Sequence, residues 1–122
     1  MQNVLIQARN LVPAIGDYST SEQDTGFKWV DGKTIYKKTV FKSSLSSSGE
    51  TNIAHGVTGL SECIKIEAFS KNSSTDSIMI PTINFAGSHH FAVWKVDGTN
   101  INVFSTIVLA NVYVTIWYTK TS

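Results

Sequence analysis

The stretch FKWVDGKTIYKKTVF, residues 27–41, places two runs of aromatic and β-branched residues on either side of Asp31-Gly32. An Asp-Gly pair between such runs favours a β-hairpin, because a type I′ turn needs positive φ at both of its central residues. We therefore expect two antiparallel strands joined by a type I′ turn at Asp31-Gly32. The stretch contains no evident catalytic group, so its expected role is to set the register of the fold.

A second Asp-Gly pair, Asp97-Gly98, repeats this pattern further along the chain. The runs His90–Val96 and Asn100–Thr106 flank it and predict another hairpin. Pro81 interrupts an isoleucine-rich run and indicates an edge strand or a bend, because proline cannot donate to a strand ladder. Cys63–Phe69 predicts a strand with Ile64, Ile66 and Ala68 on one face and Lys65 and Glu67 on the other.

Asn111–Lys120 is the most informative strand of the sequence because both of its faces are apolar. One face would carry Val112, Val114, Ile116 and Tyr118, and the other Tyr113 and Trp117. An antiparallel strand with one wet face alternates apolar with polar residues. The second face therefore needs cover. In a domain of this size we expect another subunit to supply it, with Tyr113 and Trp117 at the oligomer interface.

Length and charge limit the fold class and the partners. The 122 residues suffice for one domain with a core of its own. The net charge of +1 gives no electrostatic reason to expect nucleic acid or an anionic membrane as partner. No apolar run approaches the ~20 residues that span a bilayer, so membrane insertion is not expected. Short strands spaced by turns, without helical periodicity after Pro13, predict an all-β fold: an antiparallel β-sandwich of jelly-roll-like form.

The N-terminal residues 1–17 are compatible with two structures, since their apolar residues fit both a strand and a helix spacing. We interpret 1–17 as an N-terminal linker or docking segment ahead of a β-sandwich domain that spans 18–122. A short stem helix is the alternative. Residues 17–26 are small and polar, and they predict a connector that runs over the surface.

No set of residues predicts a catalytic, metal or cofactor site. His89 and His90 are adjacent, so on a strand they point to opposite faces and cannot chelate one metal within a chain. His55, in an apolar segment, indicates a hydrogen-bonded structural or surface histidine. Cys63 begins a strand without a neighbouring histidine or cysteine, which favours a small buried side chain over a nucleophile. The nine carboxylates include no pair that stands out as the acid and base of a glycosidase.

Four segments of the sequence resemble segments that recur in the tail proteins of tailed bacteriophages and prophages. These are Tyr18–Gln23, Gly26 with Trp29–Val40, Ile53–Val57, and Val112–Lys120. Their order and spacing are similar to those of the C-terminal tip domains of tail fibres and related baseplate or receptor-binding proteins, over about Tyr18 to Thr121. The resemblance implies a small homotrimeric β-sandwich in the virion, at a fibre end. Such a tip attaches the phage to a bacterial surface polysaccharide or another receptor.

Under this resemblance, ligand contact is expected in polar turns at one end of the sandwich, which can vary without disturbing the sheets. The turns are residues 71–76, 87–90 and 97–100. The candidate ligand-binding residues are Asn72, Asp76, Ser88, His89, His90, Asp97 and Asn100. An exposed ring among Trp29, Trp94 and Trp117 would instead offer a stacking platform for a sugar.

The sequence leaves two other functions open. The domain can cap the fibre or nucleate its trimerisation without binding a ligand. Alternatively, it can be a carbohydrate-binding module or a carbohydrate-active enzyme. Glycan binding by the intact trimer separates attachment from capping. Depolymerisation that is lost on replacing one carboxylate would identify an enzyme.

Overall fold

Nine strands form the regular secondary structure of the residues that the computed structural model describes, which are 17–45, 49–71, 77–79, 82–83, 90–106 and 108–121. The strands are β1 (Gln23–Lys28), β2 (Thr34–Leu45), β3 (Gly49–Ala54), β4 (Leu60–Lys71), β5 (Ser77–Met79), β6 (Thr82–Ile83), β7 (His90–Val96), β8 (Asn100–Ser105) and β9 (Leu109–Lys120). All of their pairings are antiparallel. The prediction of an all-β, antiparallel fold is therefore confirmed.

The strands divide into two sheets. A five-stranded sheet has the order β1-β2-β9-β4-β5, and a four-stranded sheet has the order β3-β8-β7-β6. The last strand, β9, lies between β2 and β4 and is hydrogen-bonded on both sides. Its register places Val114 beside Val40 of β2 and Ala68 of β4. Directly paired residues of neighbouring strands share a face, so these three side chains point to the same side of the sheet.

The hydrophobic core lies between the two sheets. From β9, the side chains of Val112, Val114, Ile116 and Tyr118 are fully buried, as the alternation predicted. They form one cluster with residues from the other sheet, among them Ile53, Phe91, Ile101 and Val103. Each fully buried aliphatic or aromatic side chain stabilises the fold by about 1.5–3 kcal/mol. The two sheets are thus arranged like a sandwich around one core.

The opening hairpin forms between β1 and β2, but its turn differs from the predicted one. Trp29 N–H donates to the Lys33 carbonyl (2.9 Å), and Gly32 N–H donates to the Trp29 carbonyl (2.9 Å). Gly32 has a φ of 87°, whereas Asp31 does not have positive φ. The prediction of a type I′ turn is therefore wrong. The loop has three residues, 30–32, and only its last residue takes the left-handed conformation.

The connector before the hairpin is largely exposed, as predicted, but it is attached to the sheet. Thr39 N–H donates to the Ser19 carbonyl (2.9 Å), which extends the edge of β2 beyond β1. Gln23 already belongs to β1, so the strand begins within the range predicted as connector. The predicted linker or docking segment, apart from residue 17, lies outside the described residues.

The chain changes sheets between β5 and β6. β5 is an edge strand of the five-stranded sheet, and β6 is an edge strand of the four-stranded sheet. The edge-strand alternative of the prediction is confirmed for β5 and β6, and Pro81 itself lies outside the described residues. The second predicted hairpin, β7–β8, is also present, and Asp97 N–H donates to the Asn100 carbonyl (2.9 Å) at its turn.

Candidate functional site

In the described part of the chain, most of the aromatic side chains that do not belong to the hydrophobic core lie on the outer face of the five-stranded sheet. Alternate residues of β2, β9 and β4 point away from the core there, and the register arranges them in three rows across the sheet. The rows are Phe41–Tyr113–Phe69, Thr39–Thr115–Glu67, and Lys37–Trp117–Lys65.

The first row is a set of three aromatic rings in contact, which we call the aromatic row. The Tyr113 ring lies 4.9 Å from the Phe41 ring and 5.1 Å from the Phe69 ring, centroid to centroid. Such cross-strand pairs contribute about 0.5–1.5 kcal/mol beyond their buried area. Phe41 is nonetheless 43% exposed, and Tyr113 is half-buried. The row is therefore ordered by its own contacts yet open to solvent.

Tyr18 lies over the middle row and forms one wall of a groove. Its hydroxyl donates to Glu67 Oε1 (2.9 Å) on β4. This hydrogen bond, with some burial and the charge of Glu67, raises the pKa of Tyr18. Tyr18, Glu67 and two rings of the aromatic row, Phe69 and Tyr113, line a groove of about 550 Å³.

A second groove, which we call the Trp117 groove, lies at the other end of this face. Phe27, Trp29 and Trp117 contribute rings to a space of about 400 Å³. Thr25 Oγ1 donates to the Ile35 carbonyl (2.7 Å) and accepts from Phe27 N–H (3.2 Å), where the β1 register shifts. This local structure presents Phe27 with 58% of its surface exposed.

A bulge in β4 also shapes the Trp117 groove. The register of β4 against β9 shifts between Cys63 and Lys65, so Ile64 has no paired partner there. Ile64 lines the Trp117 groove. The prediction that Ile64 shares the face of Ile66 and Ala68 is therefore wrong, because strict alternation does not hold through a bulge.

Two lysines flank Trp117 on the neighbouring strands. The Lys65 ammonium lies 4.5 Å from the Trp117 ring centroid, and the Lys37 ammonium lies 5.4 Å from it. Lys37 is only 3% exposed, and its ammonium donates to the Asp17 carbonyl (2.7 Å) and lies 3.8 Å from the Tyr18 centroid. Within the described residues, neither lysine forms an ion pair with a carboxylate. Among the described residues, the Lys37 charge thus interacts with a backbone carbonyl and two aromatic rings, and the exposed Lys65 charge with the Trp117 ring.

The described part of the predicted ligand site is the β7–β8 turn, and its polar groups form hydrogen bonds with one another. The Asp97 carboxylate accepts from Asn100 N–H (2.7 Å) and Thr99 N–H (2.9 Å). These two hydrogen bonds hold the pKa of Asp97 below its usual value. Asp97 and Asn100 therefore stabilise the β7–β8 turn. Of the other candidate residues, Asn72, Asp76, Ser88 and His89 lie outside the described residues.

The predicted ligand turns do not all lie at one end of the molecule. His90 begins β7, and Asp97 follows its last residue. Seven steps of about 3.3 Å separate them by roughly 23 Å along the strand. The prediction of a single cluster is wrong for these two residues, because loops that precede and follow one strand lie at opposite ends of it.

His55, the residue that follows β3, supports the same turn. The side chain is 1% exposed. Its Nδ1 accepts from Val57 N–H (3.0 Å), so Nε2 carries the proton and donates to the Asp97 carbonyl (2.8 Å). The prediction of a hydrogen-bonded structural histidine is confirmed. Cys63 is half-buried, and this burial raises the pKa of its thiol.

Sequence reasoning placed Tyr113 and Trp117 on the second face of β9, and both lie there, half-buried. It missed Tyr18, Phe27 and Lys65 as members of the same surface. The only signal for them was the excess of apolar residues on β9. That excess predicts that other residues lie against its second face, but it does not identify them.

Comparison of the chain with protein-family models, with curated proteins and with solved structures gave no match. Among the described residues, no three His, Cys, Asp or Glu side chains come together as a metal site would require. In the same part of the chain, no helix has the length and apolarity needed to cross a bilayer.

Proposed function

We propose that this chain is the tip domain of a tailed-phage tail fibre, which acts without catalysis as a homotrimer in the virion. It attaches the phage to a bacterial surface receptor, a polysaccharide. The resemblance of residues 18–121 to such tip domains motivates the proposal. The nested pairing of β2 with β9 and of β3 with β8 supports a jelly-roll-like β-sandwich of the kind that this resemblance implies.

The observation that carries the proposal is the aromatic row, which is partly exposed to solvent. Phe41, Tyr113 and Phe69 form an apolar surface beside a groove of about 550 Å³. Aromatic residues are enriched at protein–protein interfaces, and exposed apolar patches mark contact sites. In the proposed trimer the aromatic row faces a neighbouring subunit. Weak binding at each subunit is then multiplied by avidity.

The test of assembly is light scattering at micromolar concentration. Wild type is expected to have three times the chain mass, and Phe41→Ser is expected to shift the mass towards one chain because it removes a ring from the contact. Phe104→Ser is the matched control, since Phe104 is 37% exposed on β8 of the other sheet. A monomeric wild type would contradict the trimer.

The test of attachment is binding of the intact trimer to an array of bacterial surface polysaccharides. We expect binding to at least one of them. Absence of binding by a folded trimer would favour the second candidate function, a cap that trimerises the fibre without a ligand. One observation favours that alternative: the Asp97 carboxylate is occupied by its own turn.

A further inference from the structure

The Trp117 groove has the composition of a ligand site that is separate from the predicted turns. We propose that it binds a carboxylate-bearing sugar unit, a hexuronate within an acidic polysaccharide, with Lys65 as the residue that pairs with the carboxylate. This inference rests on the proposed attachment to a polysaccharide. It moves the contact from the loops to the outer face of the five-stranded sheet.

The shape and lining of the groove fit one sugar ring. Phe27, Trp29 and Trp117 surround about 400 Å³, which lies within the size range of small-molecule sites. Aromatic faces carry negative partial charge and attract the positively polarised C–H groups of a sugar ring. Phe27 is 58% exposed without a described ring partner, so stacking on it requires no rearrangement of the core.

The charge of the groove selects an acidic ligand. Lys65 is exposed, and its ammonium lies over the Trp117 ring rather than beside a carboxylate. Lys37, on the other side of Trp117, adds a positive charge that is almost fully buried. β4 also carries two acids, Glu62 and Glu67; Glu67 accepts a hydrogen bond from Tyr18, and among the described residues neither acid forms an ion pair with Lys65. A ligand carboxylate would provide the ion pair that Lys65, the lysine that lines the groove, lacks among the described residues.

The sequence places both Tyr113 and Trp117 at an oligomer interface; in this proposal Tyr113 stays at the subunit contact and Trp117 belongs to the ligand groove. Trp117 and Tyr113 are four residues apart on β9, which separates them by about 13 Å along the strand. In the proposed trimer the subunit contact is confined to the aromatic-row end of this face, so that Phe27 and Lys65 stay accessible. Each subunit of a trimer would present one groove, and three grooves would engage one polymer with avidity.

The experiment titrates the full chain with hexuronate oligosaccharides from alginate, and with neutral dextran oligosaccharides of equal length, by calorimetry. Wild type is expected to bind alginate at least about tenfold more tightly than dextran, as one charge-assisted hydrogen bond of about 1.4 kcal/mol would give. Lys65→Gln and Phe27→Ala are each expected to weaken alginate binding about tenfold. Inorganic phosphate is titrated in parallel, and binding equal to that of alginate would contradict a carboxylate–sugar site.

Two control variants make the result specific. Lys71→Gln removes an exposed lysine from the far end of β4, and Phe104→Ala removes an exposed ring from the other sheet. Both are expected to bind alginate within about twofold of wild type, and circular dichroism checks that all four variants fold. Equal alginate binding by wild type, Lys65→Gln and Phe27→Ala overturns the assignment, as does equal binding of alginate and dextran.

The polysaccharide array separates this inference from the proposed function. If Lys65→Gln and Phe27→Ala still bind an array polysaccharide as wild type does, the Trp117 groove is not the site, although attachment is retained. If wild type binds no polysaccharide at all, both the site and the proposed attachment are overturned.

Discussion

Glu22 ties the exposed connector to the last strand of the chain. Tyr118 Oη donates to its Oε2 (2.5 Å), and the Lys120 ammonium pairs with its Oε1 (2.6 Å). Burial alone would raise the pKa of Glu22, but the hydrogen bonds from Lys120 and Tyr118 and the nearby positive charges outweigh it and lower the pKa. Burial, followed by the hydrogen bond to Glu22, raises the pKa of Tyr118. One carboxylate thus connects residues 96 positions apart.

The lowered pKa of Glu22 predicts an acid-dependent loss of stability. The unfolded chain binds a proton here at higher pH than the folded chain, so the contribution is complete above the ordinary pKa of 4.5 and is lost as the pH falls through the lower folded value. Glu22→Gln is expected to cost about 1 kcal/mol at pH 7 and to flatten the decline below pH 4.5. Urea unfolding from pH 3 to 7 measures this. Glu50→Gln, at an exposed position on β3, is the control, and an unchanged acid decline in Glu22→Gln would refute the assignment.

His55 predicts a second effect at the residue scale. His55→Phe keeps a ring of similar size but leaves Val57 N–H and the Asp97 carbonyl without their partner. The loss of one buried and one part-buried hydrogen bond is expected to lower the free energy of unfolding by about 2–4 kcal/mol. Urea unfolding gives the value, and hydrogen exchange at residues 97–100 is expected to accelerate. Wild-type stability in this variant would mean that the histidine is not structural.

At the scale of elements, the opening hairpin depends on one glycine. Gly32 has positive φ and open space where a Cβ would lie, so substitution there changes the backbone conformation without creating a clash. A substitution at Gly32 therefore tests the turn conformation without disturbing the packing of the aromatic side chains around it. Gly98, in the other hairpin, also has open space but no positive φ, which makes the two positions a matched pair.

Gly32→Ala is therefore expected to lower the free energy of unfolding by about 1–2 kcal/mol, the cost of a left-handed residue with a Cβ. Gly98→Ala is expected to change it by less than about 0.5 kcal/mol. Thermal or urea unfolding of both variants measures the difference. Equal losses at the two positions would contradict the turn geometry described for residues 29–33.

At the scale of the whole molecule, stability depends on β9 because it joins two ladders and faces the common core. Ile116 is fully buried, whereas its direct partner on β4, Ile66, is 36% exposed. Ile116→Ala is expected to cost about 3–4 kcal/mol through lost burial and a residual cavity, and Ile66→Ala about 1 kcal/mol. Urea unfolding of the two variants tests this. Similar losses in the free energy of unfolding would contradict the position of Ile116 in the core.

The outer face of the same sheet also carries large apolar side chains, but there they are partly exposed instead of buried. Phe27, Phe41 and Trp117 lie on a surface that no second layer of the described residues covers, and Phe27 and Phe41 are exposed. The side chains on the core face stabilise the fold. Those on the outer face are available for the proposed subunit contact and ligand site. Function is therefore expected on the sheet as well as in the loops.

The sequence by itself determined much of the strand content, because alternation and Asp-Gly pairs are local signals, but it did not show that β1 begins at Gln23. Alternation on β9 identified Val112 to Tyr118 as core, and Asp31-Gly32 and Asp97-Gly98 located two hairpins. The turn type at Asp31-Gly32 was beyond the sequence, since Asp-Gly is compatible with both a two-residue and a three-residue loop.

Only the tertiary structure decided which side chains meet on the outer face. Tyr18 reaches Glu67 across 49 positions, and Phe27 joins Trp117 in one groove through strands that pair at long range. The β4 bulge moved Ile64 to that groove, and packing against Tyr18 buried the charged Lys37. These contacts depend on register and strand order, which arise from the packing of the whole chain and leave no periodic signal in it.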